Sequence, residues 1–117
     1  MKVGIIGCGV AMEHHIAGIL SSDDVELAGF CDLDQKKAEA AVKDIGMGKA
    51  YSDFKKMIAD EKLDAVHVLT PPKTHVDVAL YALNQKVNVL VEKPMAITVD
   101  ELEQMDAAAN ENGVKLY

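Results

Sequence analysis

Short apolar runs alternate along the chain with longer segments in which apolar residues recur every three or four positions. The runs are typical of strands buried on both faces, and the longer segments are typical of amphipathic helices. The predicted strands cover residues 2–6, 25–31, 49–51, 65–70 and 88–91, and a sixth begins at 114–117. The predicted helices extend to about 21, then over 35–45, 53–59, 74–84 and 98–112. This alternation predicts an α/β fold with a doubly wound parallel sheet in the order 3-2-1-4-5-6.

Several helix ends carry recognisable capping residues. Asp34 is placed to cap the second helix, and Thr98 with Glu101 forms the spacing of a capping box before the last one. Gly46 and Gly113 follow the last apolar positions of their helices and are expected to end them. In the last helix the side chains expected to face the core are Leu102, Met105 and Ala109.

The first strand runs directly into the sequence Gly7-Cys8-Gly9, and helical periodicity follows at once. Strand, glycine turn and helix together form the context of a dinucleotide-binding fingerprint. Gly7 allows the tight turn, and Gly9 lets a pyrophosphate approach the backbone. The N–H groups of Val10, Ala11 and Met12 are then expected to face the phosphates, with the helix dipole behind them.

The third glycine of the fingerprint is absent, because Met12 occupies its position. A two-glycine turn also suits an α/β protein that binds no nucleotide. Two further unusual segments, Thr70-Pro71-Pro72 and Glu92-Lys93-Pro94, follow the fourth and fifth strands. In a doubly wound sheet, the carboxyl ends of these strands border the same crevice as the glycine turn. The convergence of three segments favours the nucleotide-binding interpretation, and with it a Rossmann fold.

Asp32 ends the second strand, 23 residues after Gly9. An acidic residue at about this distance accepts hydrogen bonds from the adenosine ribose, and Leu33 follows it at the same edge. A carboxylate there repels a 2′-phosphate, and the chain has no arginine to bind one. We therefore expect NAD as the cofactor, with Lys36 and Lys37 leaving NADP as a less favoured option.

Length and charge narrow the classes of function. The 117 residues suffice for one domain, and the net charge of −7 without any arginine excludes the basic footprint of a nucleic-acid-binding protein. The longest uncharged apolar stretch, residues 3–12, is too short to span a bilayer, so no membrane association and a cytoplasmic location are expected.

The cysteines and histidines do not form a pattern typical of a structural bridge or a metal site. Cys8 and Cys31 lie at the ends of predicted neighbouring strands and are expected to be reduced, packed thiols. His14 and His15 point in different directions on one helix, and neither has a partner at ligand spacing, so no metal site is expected. His67 interrupts an apolar strand and is expected to be a hydrogen-bonded core residue.

Three stretches carry a family resemblance: GIIGCGVAMEHH, LDAVHVLTPPKTH and ALNQKVNVLVEKP. Together they resemble the N-terminal domain of the glucose-fructose oxidoreductase, inositol dehydrogenase and rhizopine-catabolism family (Gfo/Idh/MocA). The resemblance extends over essentially the whole chain. It implies hydride transfer between a nicotinamide cofactor and a secondary alcohol of a sugar or cyclitol.

The resemblance also implies roles for individual residues. Lys93 corresponds to the family's catalytic lysine, which binds and polarises the reacting alcohol or carbonyl, and Glu92 lies beside it near the nicotinamide. The residues implied to bind the cofactor are Gly7, Gly9, Val10, Ala11, Met12, Asp32, Leu33, Thr70, Pro71, Pro72, His75, Glu92 and Lys93.

Members of this family continue into a second domain that binds substrate and supplies a proton-transferring histidine. Residues 1–117 are therefore expected to be a dinucleotide-binding domain alone, inactive in isolation, from a larger homo-oligomeric enzyme. Two departures from the family pattern are Met12 and Lys86, and either Asn84 or Lys86 is expected to adopt a left-handed conformation. The sequence leaves the isomer of the Lys93–Pro94 bond open. Two other functions also remain open: a nucleotide-binding regulatory module, or an NAD-dependent glycosidase of the same family.

Overall fold

The computed structural model describes all residues, 1–117, and shows strands and helices in strict alternation. The strands are β1 (Lys2–Ile6), β2 (Glu26–Cys31), β3 (Lys49–Tyr51), β4 (Ala65–Val68) and β5 (Asn88–Val91). The helices are α1 (Met12–Leu20), α2 (Gln35–Ile45), α3 (Phe54–Glu61), α4 (His75–Asn84) and α5 (Val99–Asn112), and a 3₁₀ turn (Pro72–Thr74) precedes α4.

The five strands form one parallel sheet in the order β3-β2-β1-β4-β5, which confirms the predicted doubly wound topology. Strand β1 lies at the centre, where Ile6 pairs with Cys31 of β2 on one side and with Val68 of β4 on the other. Residues 114–117, where a sixth strand was expected to begin, lie beside β5 and do not form a full strand. Leu116 makes an isolated parallel bridge to Val89, and backbone hydrogen bonds join Val89 and Val91 to Lys115 and Tyr117.

The core is divided between the two faces of the sheet. Helices α1 and α2 bury Ile16, Ile19 and Ala41 against one face. Helices α3, α4 and α5 cover the other face with a larger cluster that includes Met57, which is fully buried. Because helices cover both faces, a ligand is expected at the edge where the strands end, as in other doubly wound sheets.

The predicted helix ends are mostly confirmed. The Asp34 side chain accepts from the N–H of Lys36, and Thr98 and Glu101 form the capping box. Gly46 and Gly113 end α2 and α5 in the left-handed conformation. Helix α3 runs two residues further than predicted.

Other boundaries shift by one or a few residues. Strand β4 ends at Val68 rather than residue 70, because the ladder partner β1 ends at Ile6 and the chain then turns. The face predicted for α5 is correct for Met105 but wrong for Leu102, which is 42% exposed. Lys86 adopts the left-handed conformation, with φ of 61°, as one of the two predicted options. None of the helices combines the length and apolar character needed to cross a bilayer.

Candidate functional site

The glycine turn follows the central strand β1 and packs against the loop after β4. Gly7 has φ of +102°, and its N–H donates to the carbonyl of Cys31 at 2.8 Å. A Cβ atom at this position would lie 2.7–2.9 Å from backbone atoms of Leu69 and Thr70. Both the backbone conformation and the close approach therefore require glycine.

Gly9 has a different reason to be small. A Cβ atom at Gly9 would have no heavy atom of the protein within 4 Å, apart from those of its chain neighbours. No hydrogen bond within the protein involves the N–H groups of Val10 and Ala11, and Ala11 caps α1 without a side-chain acceptor. Open space beside free donors at a helix N-terminus suits an anionic group. One part of the prediction was wrong: the N–H of Met12 is not free, since it donates to the Gly9 carbonyl at 3.2 Å.

Asp32 links the end of β2 to the glycine turn. One carboxylate oxygen accepts from the N–H of Cys8 at 2.9 Å, and the other accepts from the N–H of Asp34 at 2.9 Å. A carboxylate offers about four acceptor positions, so room remains for a ligand hydroxyl. Asp34 caps α2, as predicted, and the Asp32 carboxylate at the end of β2 is not used as a helix cap.

A groove of about 770 Å³ opens along the carboxyl ends of β1, β2 and β4. Its lining includes six of the residues predicted to bind a cofactor: Gly7, Gly9, Asp32, Leu33, Thr70 and Pro71. The Lys37 side chain also lines it, next to the acidic end of β2. The predicted residues Val10, Ala11, Met12, Pro72, Glu92 and Lys93 lie outside this lining.

His75 was predicted to line the groove, and the structure corrects this. Its side chain is 1% exposed, with Nε2 at 2.6 Å from the Thr70 carbonyl and Nδ1 at 2.9 Å from the Pro94 carbonyl. The buried His75 ring therefore bridges the loop after β4 and the loop after β5. The Thr74 hydroxyl adds a further bond to the Thr70 hydroxyl at 2.7 Å.

The segment Glu92-Lys93-Pro94 continues directly from the end of β5. The N–H of Glu92 donates to the Val68 carbonyl at 3.0 Å, which holds the segment beside β4. Lys93 is exposed, and the Lys93–Pro94 peptide bond is cis. Lys93 thus lies at the carboxyl-end edge of the sheet, one strand beyond the groove.

Three side chains that were not predicted to interact meet beside this segment. His15 Nε2 lies 2.8 Å from Glu92 Oε2, and His15 Nδ1 lies 3.1 Å from His67 Nδ1. Burial, with a smaller contribution from His15, lowers the pKa of His67 to about 4. The hydrogen bond from His15 is the main cause that lowers the pKa of Glu92.

This contact left no signal in residue spacing, because His15 and Glu92 are separated by 77 residues. Only the strand order could have suggested it, since α1 begins, and β4 and β5 end, at the same edge of the sheet. His67 was predicted to be a hydrogen-bonded core residue. It is hydrogen-bonded, with His15 as its partner, but it is half-buried rather than part of the core.

The two thiols are free, as expected. Burial raises the pKa of both Cys8 and Cys31 to about 12, so both are neutral at physiological pH. The Cys8 thiol lies 3.5 Å from the Cys31 carbonyl. The structure contains no group of three or more His, Cys, Asp or Glu side chains arranged to hold a metal ion.

These features fit a dinucleotide. Open space at Gly9 and the unpartnered N–H groups of Val10 and Ala11 suit a pyrophosphate. Asp32 is positioned to accept from hydroxyl groups, and the exposed Leu33 offers an apolar surface at the groove mouth. The groove and the adjoining helix N-terminus therefore combine space for phosphate groups with an acceptor for hydroxyl groups.

Comparison with known proteins gives a consistent result. The model of the oxidoreductase family with an NAD-binding Rossmann fold (Gfo/Idh/MocA) matches residues 1–117. Inositol 2-dehydrogenase from Salmonella typhimurium is 30% identical over 118 residues, which cover 99% of this chain and 35% of that protein. The D-xylose 1-dehydrogenase (NADP(+)) 2 of Haloferax volcanii is 30% identical over 117 residues, covering 99% and 36%.

Among solved structures, the WlbA dehydrogenase from Bordetella pertussis, in complex with NADH and UDP-GlcNAcA, superposes with a TM-score of 0.93. It is 31% identical, and the match covers 99% of this chain and 36% of that one. The chain thus spans about a third of the length of the relatives it matches.

Proposed function

Because this chain belongs to the Gfo/Idh/MocA family of oxidoreductases, we propose that it forms the cofactor-binding part of an NAD-dependent dehydrogenase. The substrate proposed is a secondary alcohol of a sugar or cyclitol, or the matching carbonyl. The observation that carries the proposal is the glycine turn, where open space at Gly9 adjoins the free N–H groups of Val10 and Ala11.

The preference for NAD over NADP rests on Asp32. Its carboxylate lies in the groove lining and carries the negative charge that a 2′-phosphate would meet. Lys37 also lines the groove and partly offsets this charge. We assign the stronger effect to Asp32, because two backbone N–H groups fix its carboxylate, whereas a lysine side chain must be ordered on binding.

Lys93 is proposed to carry the substrate-directed chemistry. The cofactor supplies or accepts a hydride when it is bound. Lys93 is exposed at the end of β5, where its ammonium can donate a hydrogen bond to a substrate oxygen and polarise the bond to carbon. Glu92 and Pro94 are each tied to the protein on either side of it, so the lysine projects from a fixed backbone.

The isolated chain is proposed to bind cofactor without turning over substrate. The relatives are almost three times as long as this chain, and 65% of the inositol 2-dehydrogenase lies outside the match. We propose that this additional length supplies the substrate contacts and the second proton-transferring group.

Calorimetric titration of the chain with NADH is the direct test, with Gly9→Ala as the informative variant. A Cβ atom at Gly9 fills space that the protein leaves open, so the variant is expected to fold normally and bind NADH about tenfold or more weakly. Equal affinities in the two proteins, or no binding by the parent chain, would contradict the proposed placement of the pyrophosphate.

Asp32→Ser is expected to raise the ratio of NADPH affinity to NADH affinity by about tenfold, because the charge opposing a 2′-phosphate is removed. The two titrations of each protein give this ratio directly. Asp34→Ser is the matched control, since serine retains the ability to cap α2 and Asp34 lies outside the groove lining. An unchanged ratio in Asp32→Ser would show that this carboxylate does not select the cofactor.

A further inference from the structure

His15, His67 and Glu92 form a connected chain of side chains from three separate elements. His15 comes from the first turns of α1, His67 from within β4, and Glu92 from the residue after β5. The His15 side chain is 17% exposed and that of Glu92 is 35% exposed. The two imidazole rings meet edge to face, with centroids 5.3 Å apart and planes at 84°.

The protons in this chain follow from the available donors and acceptors. A carboxylate only accepts hydrogen bonds, so His15 Nε2 carries a proton and donates to Glu92 Oε2. Between His15 Nδ1 and His67 Nδ1, one ring donates and the other accepts. His67 thereby fixes the orientation of the His15 ring, as partners of a functional histidine commonly do.

The Glu92 carboxylate, which is held by His15, also contacts the backbone of the next residue. Its second oxygen, Oε1, accepts from the backbone N–H of Lys93 at 3.0 Å. With both oxygens occupied, the carboxylate connects α1 to the peptide that carries the lysine. On the far side of Lys93, the Pro94 carbonyl contacts His75. The residue on each side of Lys93 is therefore contacted by a histidine: His15 of α1 contacts the Glu92 carboxylate, and His75 of α4 contacts the Pro94 carbonyl.

We propose that His15 is a positioning residue, which holds the Glu92 carboxylate and through it the backbone of Lys93 in the orientation used by the site. This inference rests on the proposed function only for the role of Lys93. The connection itself concerns this chain alone and can be measured without cofactor or substrate.

The test is NMR of the isotope-labelled chain, following the side-chain carboxyl carbon of Glu92 across the acid pH range. In His15→Leu the midpoint of the Glu92 titration is expected to rise, because the hydrogen bond from His15 is the main cause that lowers the pKa of Glu92. The other charged or titratable groups near this carboxylate are Lys93 and, behind His15, His67, and both remain in the variant.

His14→Leu is the matched control, since His14 is the exposed neighbour of His15 on the same helix. His14→Leu is expected to leave the Glu92 midpoint and the Lys93 amide signal unchanged, while His15→Leu shifts both. His15→Gln, whose side-chain amide can donate to Glu92, is expected to restore part of both shifts. A role of His15 in helix packing alone would not be restored in this way.

An unchanged Glu92 midpoint in a folded His15→Leu chain would overturn the proposal. Should His15→Leu fail to fold, His15→Ala provides the second measurement, in which the midpoint of the Glu92 titration is again expected to rise. A midpoint that stays in place would then overturn the proposal as well. Titration of the parent chain with NADH separates the positioning role from the proposed function. If the Glu92 midpoint rises in His15→Leu but the parent chain does not bind NADH, the positioning role is supported and the proposed function is contradicted.

Discussion

Gly7→Ala is expected to lower the free energy of unfolding by about 3–5 kcal/mol, the sum of a strained left-handed residue and an overpacked contact. The added Cβ would lie within 2.7–2.9 Å of backbone atoms of Leu69 and Thr70, which cannot rotate away as a side chain would. The whole free energy of unfolding of a domain of this size is about 6–18 kcal/mol, so the expected loss is a large fraction of it.

Thermal unfolding followed by circular dichroism measures this effect, with an expected decrease in Tm of about 10–20 °C. Gly9→Ala is the control two residues away, where a Cβ has open space, and its Tm is expected to stay within a few degrees of the parent. Similar decreases in Tm in both variants would mean that the close approach to Leu69 is not the reason why the turn requires glycine.

Lys93→Met is expected to reduce hydride transfer by about 10²–10⁴-fold in the longer protein that we propose contains this domain. Methionine retains the length of the side chain but cannot donate to a substrate oxygen. The decrease is expected in kcat, and the affinity of the 117-residue chain for NADH is expected to change less than about threefold, because Lys93 is exposed at the end of β5, one strand beyond the groove.

Lys73→Met is a suitable control for the loss of one positive charge, since Lys73 is an exposed residue of the 3₁₀ turn before α4. Full activity in Lys93→Met would remove this lysine from the mechanism. A loss of cofactor affinity instead of turnover would place its role in binding.

The topology could be predicted because apolar periodicity and capping residues act locally. The alternation of apolar runs, together with Asp34, Thr98 and the two terminal glycines, predicted every helix and all five strands. The expected start of a sixth strand at residues 114–117 is present as one isolated bridge and three backbone hydrogen bonds to β5. Leu102 was assigned to the core because it has the right spacing, but burial in α5 depends on where α4 lies.

The candidate site was only partly accessible from the sequence. That Gly7, Gly9 and Asp32 lie together could be predicted, because their spacing reflects the geometry of one turn and one strand. The contact between His15 and Glu92 could not, because it depends on the lateral positions of α1 and β5 across the sheet. The burial of His75 was missed for a related reason: its two carbonyl partners belong to loops that approach each other only in the folded chain.

The central position of β1 also constrains the order in which the protein can assemble during synthesis. β1 is made first, but one of its two neighbours, β4, pairs Val68 with Ile6 and so is made 62 residues later. At about 5–20 residues per second, the ribosome needs about 3–12 s to produce that partner. During this interval β1 can pair only with β2, and the wall of the groove formed by Leu69 and Thr70 does not yet exist. The groove can therefore form only after residues 69 and 70 have been synthesised.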